Sequence, residues 1–153
     1  MDFAYLTLFN GLGESGLKKV SALFTPKTYT LGEHISQEGE RINFAFVLAK
    51  GHIAIYKKDF RGEPTLLHEI YDKDNTLFNL TSLVDEGPAT TTVKCLSDCT
   101  VYVLKADTLH AFMSENPDVG YQIAWNLAKE LALFLRKQDE NIKNFYKEIE
   151  ELL

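Results

Sequence analysis

The chain has 153 residues, 45% of them apolar and 25% charged, with a formal net charge of −6. This composition fits one globular domain that can bury a core without disulfides or metals. Its 16 Lys and Arg against 22 Asp and Glu argue against an extended nucleic-acid surface, which needs clustered cations to neutralise phosphate. No window reaches 18 apolar residues, and the start MDFAYLTLFNGLGES lacks the basic and apolar regions of a signal peptide. A cytoplasmic protein with no membrane span is therefore expected. Cys95 and Cys99 suit neither a CxxC redox pair nor a zinc site, and are expected as core thiols.

In chain order, LKKVSALF (17–24) places Leu17, Val20, Leu23 and Phe24 on one helical face, and Pro26 closes the helix. Residues 27–113 then change character. Short runs rich in Thr, Val, Ile, Tyr and Phe recur at 27–31, 34–37, 44–49, 52–59, 65–71, 91–97 and 100–106, separated by Gly-bearing breaks. Strands this short and evenly spaced point to an antiparallel sandwich or barrel. Phe60-Arg61-Gly62-Glu63 reads as a hairpin turn in which Gly62 takes positive φ. Between the last two groups of strands lies LFNLTSLVDEGPATTTV (77–93), a short helix-like run and an acidic turn with no Arg, Lys or His.

The period switches again at Asp107, where DTLHAFMSE reads as a short helix ending before Asn116-Pro117. From Asp118 to Leu153 apolar residues follow steps of 4 and 3, through Ala124, Ala128, Leu131, Leu135, Gln138, Ile142, Phe145, Ile149 and Leu152. At 1.5 Å per residue such a helix runs roughly 54 Å, longer than one small barrel can cover. Near its start, Trp125, Leu127, Leu133 and Phe134 widen the apolar face, so one side can pack on the barrel. The remaining stripe needs a partner helix. A symmetric homodimer satisfies it, with Ala128, Leu131, Leu135, Ile142, Phe145 and Ile149 at the interface.

This order of elements resembles the cyclic nucleotide-binding domain of the catabolite activator family of bacterial regulators. LFNGLGESGLKKVSALFTPKTYTLGEHISQEGE, FAFVLAKGHIAIYKKDFRGEPTLLHEI and CLSDCTVYVLKADTLHAFMSENPDV carry the resemblance over nearly the whole chain. It implies a mainly β fold with flanking helices: a double-stranded β-helix (jelly-roll) barrel over residues 1–117 and a long dimerisation helix over 118–153. It also places residues 77–93 at the family's phosphate-binding cassette, whose phrase is Phe-Gly-Glu, an apolar run, and Arg before a small residue. In the family the Gly and nearby amides receive the cyclic phosphate, the Glu accepts from the ribose, and the Arg pairs with the phosphate. Here Phe78 keeps its place and Thr90 keeps the small hydroxyl position. Asn79 stands for the Gly, Leu80 for the Glu and Ala89 for the Arg.

Those departures are chemical. A buried phosphate needs its charge matched, and Arg supplies a bidentate charged fork. Losing two charge-assisted contacts lowers affinity roughly a thousandfold or more. Arg41, Arg61, Lys94 and Arg136 are the candidate replacement cations. Without them, Phe78, Asn79, Leu80, Thr81, Ser82, Ala89, Thr90 and Thr91 would line a vestigial pocket for a different small ligand, or Leu80 would fill it.

His34, His52, His68 and His110 form no HxH pair or HExxH helix, and no nucleophile elbow or Walker loop occurs. No enzyme activity, cofactor or metal is expected. The ending EIEELL is acidic, so direct DNA binding by this chain is not expected either. The sequence thus describes a non-enzymatic, dimeric regulatory or ligand-sensing module, with an unidentified small ligand or protein as partner. Two alternatives stand beside it: a nucleotide sensor with a rearranged site, and the effector domain of a DNA-binding regulator.

Overall fold

A computed structural model describes residues 3–153. A 3-10 turn at Thr7–Phe9 precedes helix α1 (Glu14–Ser21). The strands are β1 (Thr25–Tyr29), β2 (His34–Ser36), β3 (Phe44–Lys50), β4 (His52–Lys58), β5 (Pro64–Tyr71), β6 (Leu77–Phe78), β7 (Thr92–Cys95) and β8 (Cys99–Lys105). Helices α2 (Ala106–Glu115) and α3 (Pro117–Leu152) close the chain. The expected helix at 17–24 ends at Ser21; Pro26 instead lies in β1, an edge strand, where proline is tolerated.

The jelly roll is realised as two four-stranded antiparallel sheets, β1-β8-β3-β6 and β2-β7-β4-β5. The period-two pattern of β3 and β8 splits their side chains between two cores. Phe46, Leu48, Cys99, Val101 and Val103 face the second sheet, meeting Ile35, Ile53, Val93 and Cys95. Ala45, Val47 and Leu104 face the other way, onto Phe3, Leu8, Phe9, Val20, Leu109, Phe112 and Ile123 of the helical layer. Sheet one is therefore covered on both faces, which accounts for the near-continuous apolar character of FAFVLA. The β4–β5 hairpin turns at Gly62, with φ of 86°, as the sequence indicates. Asp59 seals it by accepting from the amides of Glu63 and Arg61, and the Glu63 amide chiefly holds its carboxyl below the ordinary value. Both cysteines are free thiols in the inter-sheet core. Burial and the neighbouring Cys99 push the Cys95 thiol up to about 12, so it stays protonated and poorly nucleophilic.

Helix α3 starts with Pro117 at its first position, where a missing N–H is tolerated. It docks through Gly120, Ile123 and Asn126, its buried residues, with Val119 and Leu127 beside them. Gly120 is needed for close approach: a Cβ there would sit 2.6 Å from the Met113 carbonyl oxygen on α2. Asn126 is 4% exposed. Its amide donates to the carbonyls of Leu8 at 3.0 Å and Asn10 at 2.7 Å, while its oxygen accepts from Gln122 at 3.1 Å. Of the four residues expected to widen the apolar face, Leu127 packs on the domain beside Ile123, while Trp125, Leu133 and Phe134 are exposed.

Asn126 ties residues more than a hundred positions apart, so its loss leaves two carbonyls without their donor. Asn126→Ala should destabilise the fold by about 1–3 kcal/mol in urea unfolding. A change below about 0.5 kcal/mol would show that water replaces the amide and that the docking rests on Ile123 alone.

Candidate functional site

The cassette begins at β6, whose pairing with β3 places Phe78 opposite Phe46. Their rings stack with centroids 5.2 Å apart, anchoring Phe78 at the margin of the inter-sheet core. Asn79 then adopts φ 61°, ψ 37°, a left-handed conformation that Asn tolerates better than most residues. Its side-chain amide points to the Ser36 hydroxyl at 3.4 Å. This turn starts a 3-10 helix over Leu80–Leu83, closed by the Ser82 N–H donating to the Asn79 carbonyl.

The turn of Asn79 determines where the next side chains go. Leu80 is half-buried and packs on the helical-layer core, on the side away from the inter-sheet space. It therefore does not plug the roll. Leu83 and Ser82 are buried, and Thr81 is exposed. His110 of α2 lies 2.7 Å from the Leu83 carbonyl through Nε2, tethering the cassette to the helical layer. After the acidic turn, Ala89 is 8% exposed and its backbone is paired on both sides. Its N–H donates to the Glu40 carbonyl, and its carbonyl accepts from the Gly39 N–H, each at 2.8 Å. Thr90 is exposed and Thr91 half-buried.

The candidate cations divide. Arg61 is 3.0 Å from Asp59 in the β4–β5 hairpin, Lys94 projects from β7 opposite in parity to the inward Val93 and Cys95, and Arg136 is exposed on α3. Arg41 lies beside the cassette through a backbone bridge to Pro88, but its side chain is exposed. The cation that reaches the cassette is one that sequence reading missed, Lys57. Its ammonium donates to the Thr90 carbonyl at 2.8 Å and lies 3.9 Å from Glu38. Ser36, His110 and Asn126 were missed likewise. A polar residue on the docked stripe of α3 was the only available sign for Asn126; the others depend on tertiary placement.

The eight cassette residues named from the sequence form a continuous arc from β6 to the start of β7. They do not all face one space: Phe78 borders the inter-sheet core, Leu80 turns to the helical side, and Thr81 and Thr90 reach solvent. Among the described residues, no group of three or more His, Cys, Asp or Glu is placed to hold a metal, and no helix is long and apolar enough to cross a membrane.

Two facing sheets, a short cassette between β6 and β7, and a long terminal helix define a jelly-roll domain of the cyclic nucleotide-binding class. A family model described as cyclic nucleotide-binding domain matches residues 26–116, more than half of the chain, and the chain belongs to that family. The Catabolite Activator Protein of Thermus thermophilus is similar at 24% identity and TM-score 0.77, with 90% of this chain and 62% of that one covered. The N-terminal domain of a transcriptional regulator from Streptomyces coelicolor A3(2) gives 22%, 0.73, 88% and 91%. The regulatory domain of Toxoplasma gondii PKA, solved with cAMP, gives 23%, 0.63, 71% and 41%. At these identities the likeness is one of fold, and this chain spans less than two thirds of the Thermus protein's length. No curated protein matches the sequence.

Proposed function

We propose that this chain is a non-enzymatic regulatory module, dimeric through α3, whose jelly roll does not read cAMP or cGMP through the family's charged side chains. The observation that carries this reading is the chemistry of the cassette. Leu80 offers no acceptor and packs into the helical core, while Ala89 offers only a backbone already paired with Gly39 and Glu40. Without a charge partner, a cyclic phosphate entering this space loses its hydration uncompensated.

The dimer is supported by what α3 leaves open. Leu135, Ile142, Phe145 and Ile149 are exposed at 64%, 54%, 60% and 38%, a contiguous stripe beyond the docked part. Ala128 and the half-buried Leu131 continue it toward the domain. A second copy would cover the whole stripe by symmetry. In this reading a ligand or protein partner that shifts the cassette also shifts α3, because Leu83 and His110 join them through α2.

A rearranged nucleotide sensor is the second reading, favoured by the left-handed Asn79 and by the Lys57 ammonium beside Thr90. It requires Lys57 to leave the Thr90 carbonyl for a phosphate. An effector domain within a DNA-binding regulator is a further form of the same dimer, supported by the likeness to the Thermus and Streptomyces proteins.

Two measurements test the main reading. The melting temperature should stay unchanged in cAMP or cGMP at about 1 mM, whereas a site of about 10 µM affinity would add about 2.7 kcal/mol of stability and a clear upward shift. Light scattering should give twice the 17.4 kDa chain mass. The double variant Leu135→Asp, Ile142→Asp should halve it without lowering the jelly roll's helix and sheet content. A monomeric native chain at high concentration would remove the dimer.

A further inference from the structure

We propose that a cleft on the helical side of the cassette binds a small protonated amine carrying an apolar body. The cleft has a volume of about 200 Å³ and lies between the N-terminal turn, the approach to β6, and the docked part of α3. Leu6, Leu8 and Leu80 give it an apolar floor, Thr7 and Thr76 border it with hydroxyls, and Glu130 of α3 closes one side.

Two features set the chemistry of the occupant. First, Glu130 is the only charged group among the described residues lining the cleft. It is half-buried, and no hydrogen bond or ion pair to it occurs among the described residues. A partly desolvated carboxylate next to leucines gains most from a cation and repels a phosphate. Second, the volume is about that of seven waters, below the usual range for drug-sized ligands, so a fragment of roughly ten non-hydrogen atoms fits.

The cleft also touches the parts that a regulatory ligand has to join. Leu80 belongs to the cassette, Glu130 to α3, and Leu8 to the turn whose carbonyl receives Asn126. An ammonium on Glu130 with its apolar body against Leu80 would fix the cassette relative to the long helix. That consequence rests on the regulatory reading; the binding itself does not require the dimer.

The test is titration of the full 15N-labelled chain with phenethylamine, with 2-phenylethanol as the neutral counterpart, followed in amide correlation spectra. Phenethylamine should give saturable shifts centred on Thr7, Thr76, Leu80 and Glu130. Its affinity should fall at least about tenfold in Glu130→Gln, and 2-phenylethanol should bind at least about tenfold more weakly to the native chain. Glu130→Gln keeps the side-chain shape, and its unchanged spectrum elsewhere shows that the fold is intact. No saturation by about 10 mM, equal affinity for amine and alcohol, or shifts confined to the outer stripe of α3 would overturn the proposal. Light scattering on the same samples separates the two ideas. A monomer with intact amine binding removes the dimer alone, and a dimer without amine binding removes this site alone.

Discussion

One buried amide sets the position of the long helix. Asn126 bridges the carbonyls of Leu8 and Asn10, and Gly120 lets α3 come within backbone contact of α2. These contacts leave the rest of α3 pointing away from the domain with its apolar stripe bare. The cassette packs under the same layer: Leu80 and Leu83 join the core that holds Ile123, and His110 grips the Leu83 carbonyl. Cassette and helix therefore share one packed layer.

The site separates shape from charge. Asn79 keeps a left-handed turn, the backbone of Ala89 is fully paired, and Phe78 stacks on Phe46, so the cassette keeps an ordered form. Residues 77–93 carry no Arg, Lys or His side chain of their own. Leu80 occupies the helical side and adds partial apolar burial, below the roughly 1.5–3 kcal/mol of a fully buried side chain. A carboxylate at that position would oppose this packing. Leu80 thus contributes to the layer that carries α3.

Much of the fold was legible from composition and spacing. Short runs rich in β-branched and aromatic residues mark β3 and β8, and steps of 3 and 4 mark α3. The docked face of α3 was legible only in part: Leu127 was named, but Asn126 counts as polar in any stripe and Gly120 carries no side chain, so neither stood out. Strand β6 has two residues, too few for a period to show. The direction of Leu80 depends on the φ of Asn79, a backbone fact that no residue pattern encodes. Lys57 reaches Thr90 only because β4 and β7 are neighbours, with Tyr56 opposite Thr92. The family phrase pointed to residues that lie from β6 to the start of β7, while the side of the sheet that each one takes needed tertiary structure.

The central claim is that the cassette's lost charges abolish cyclic-nucleotide reading. Calorimetric titration of cAMP into the native chain tests it most directly. No saturable heat is expected with ligand up to about 1 mM, an affinity no better than about −4 kcal/mol. A saturable isotherm with micromolar dissociation constant, lost in Lys57→Ala, would contradict it and identify Lys57 as the cation that took over the phosphate.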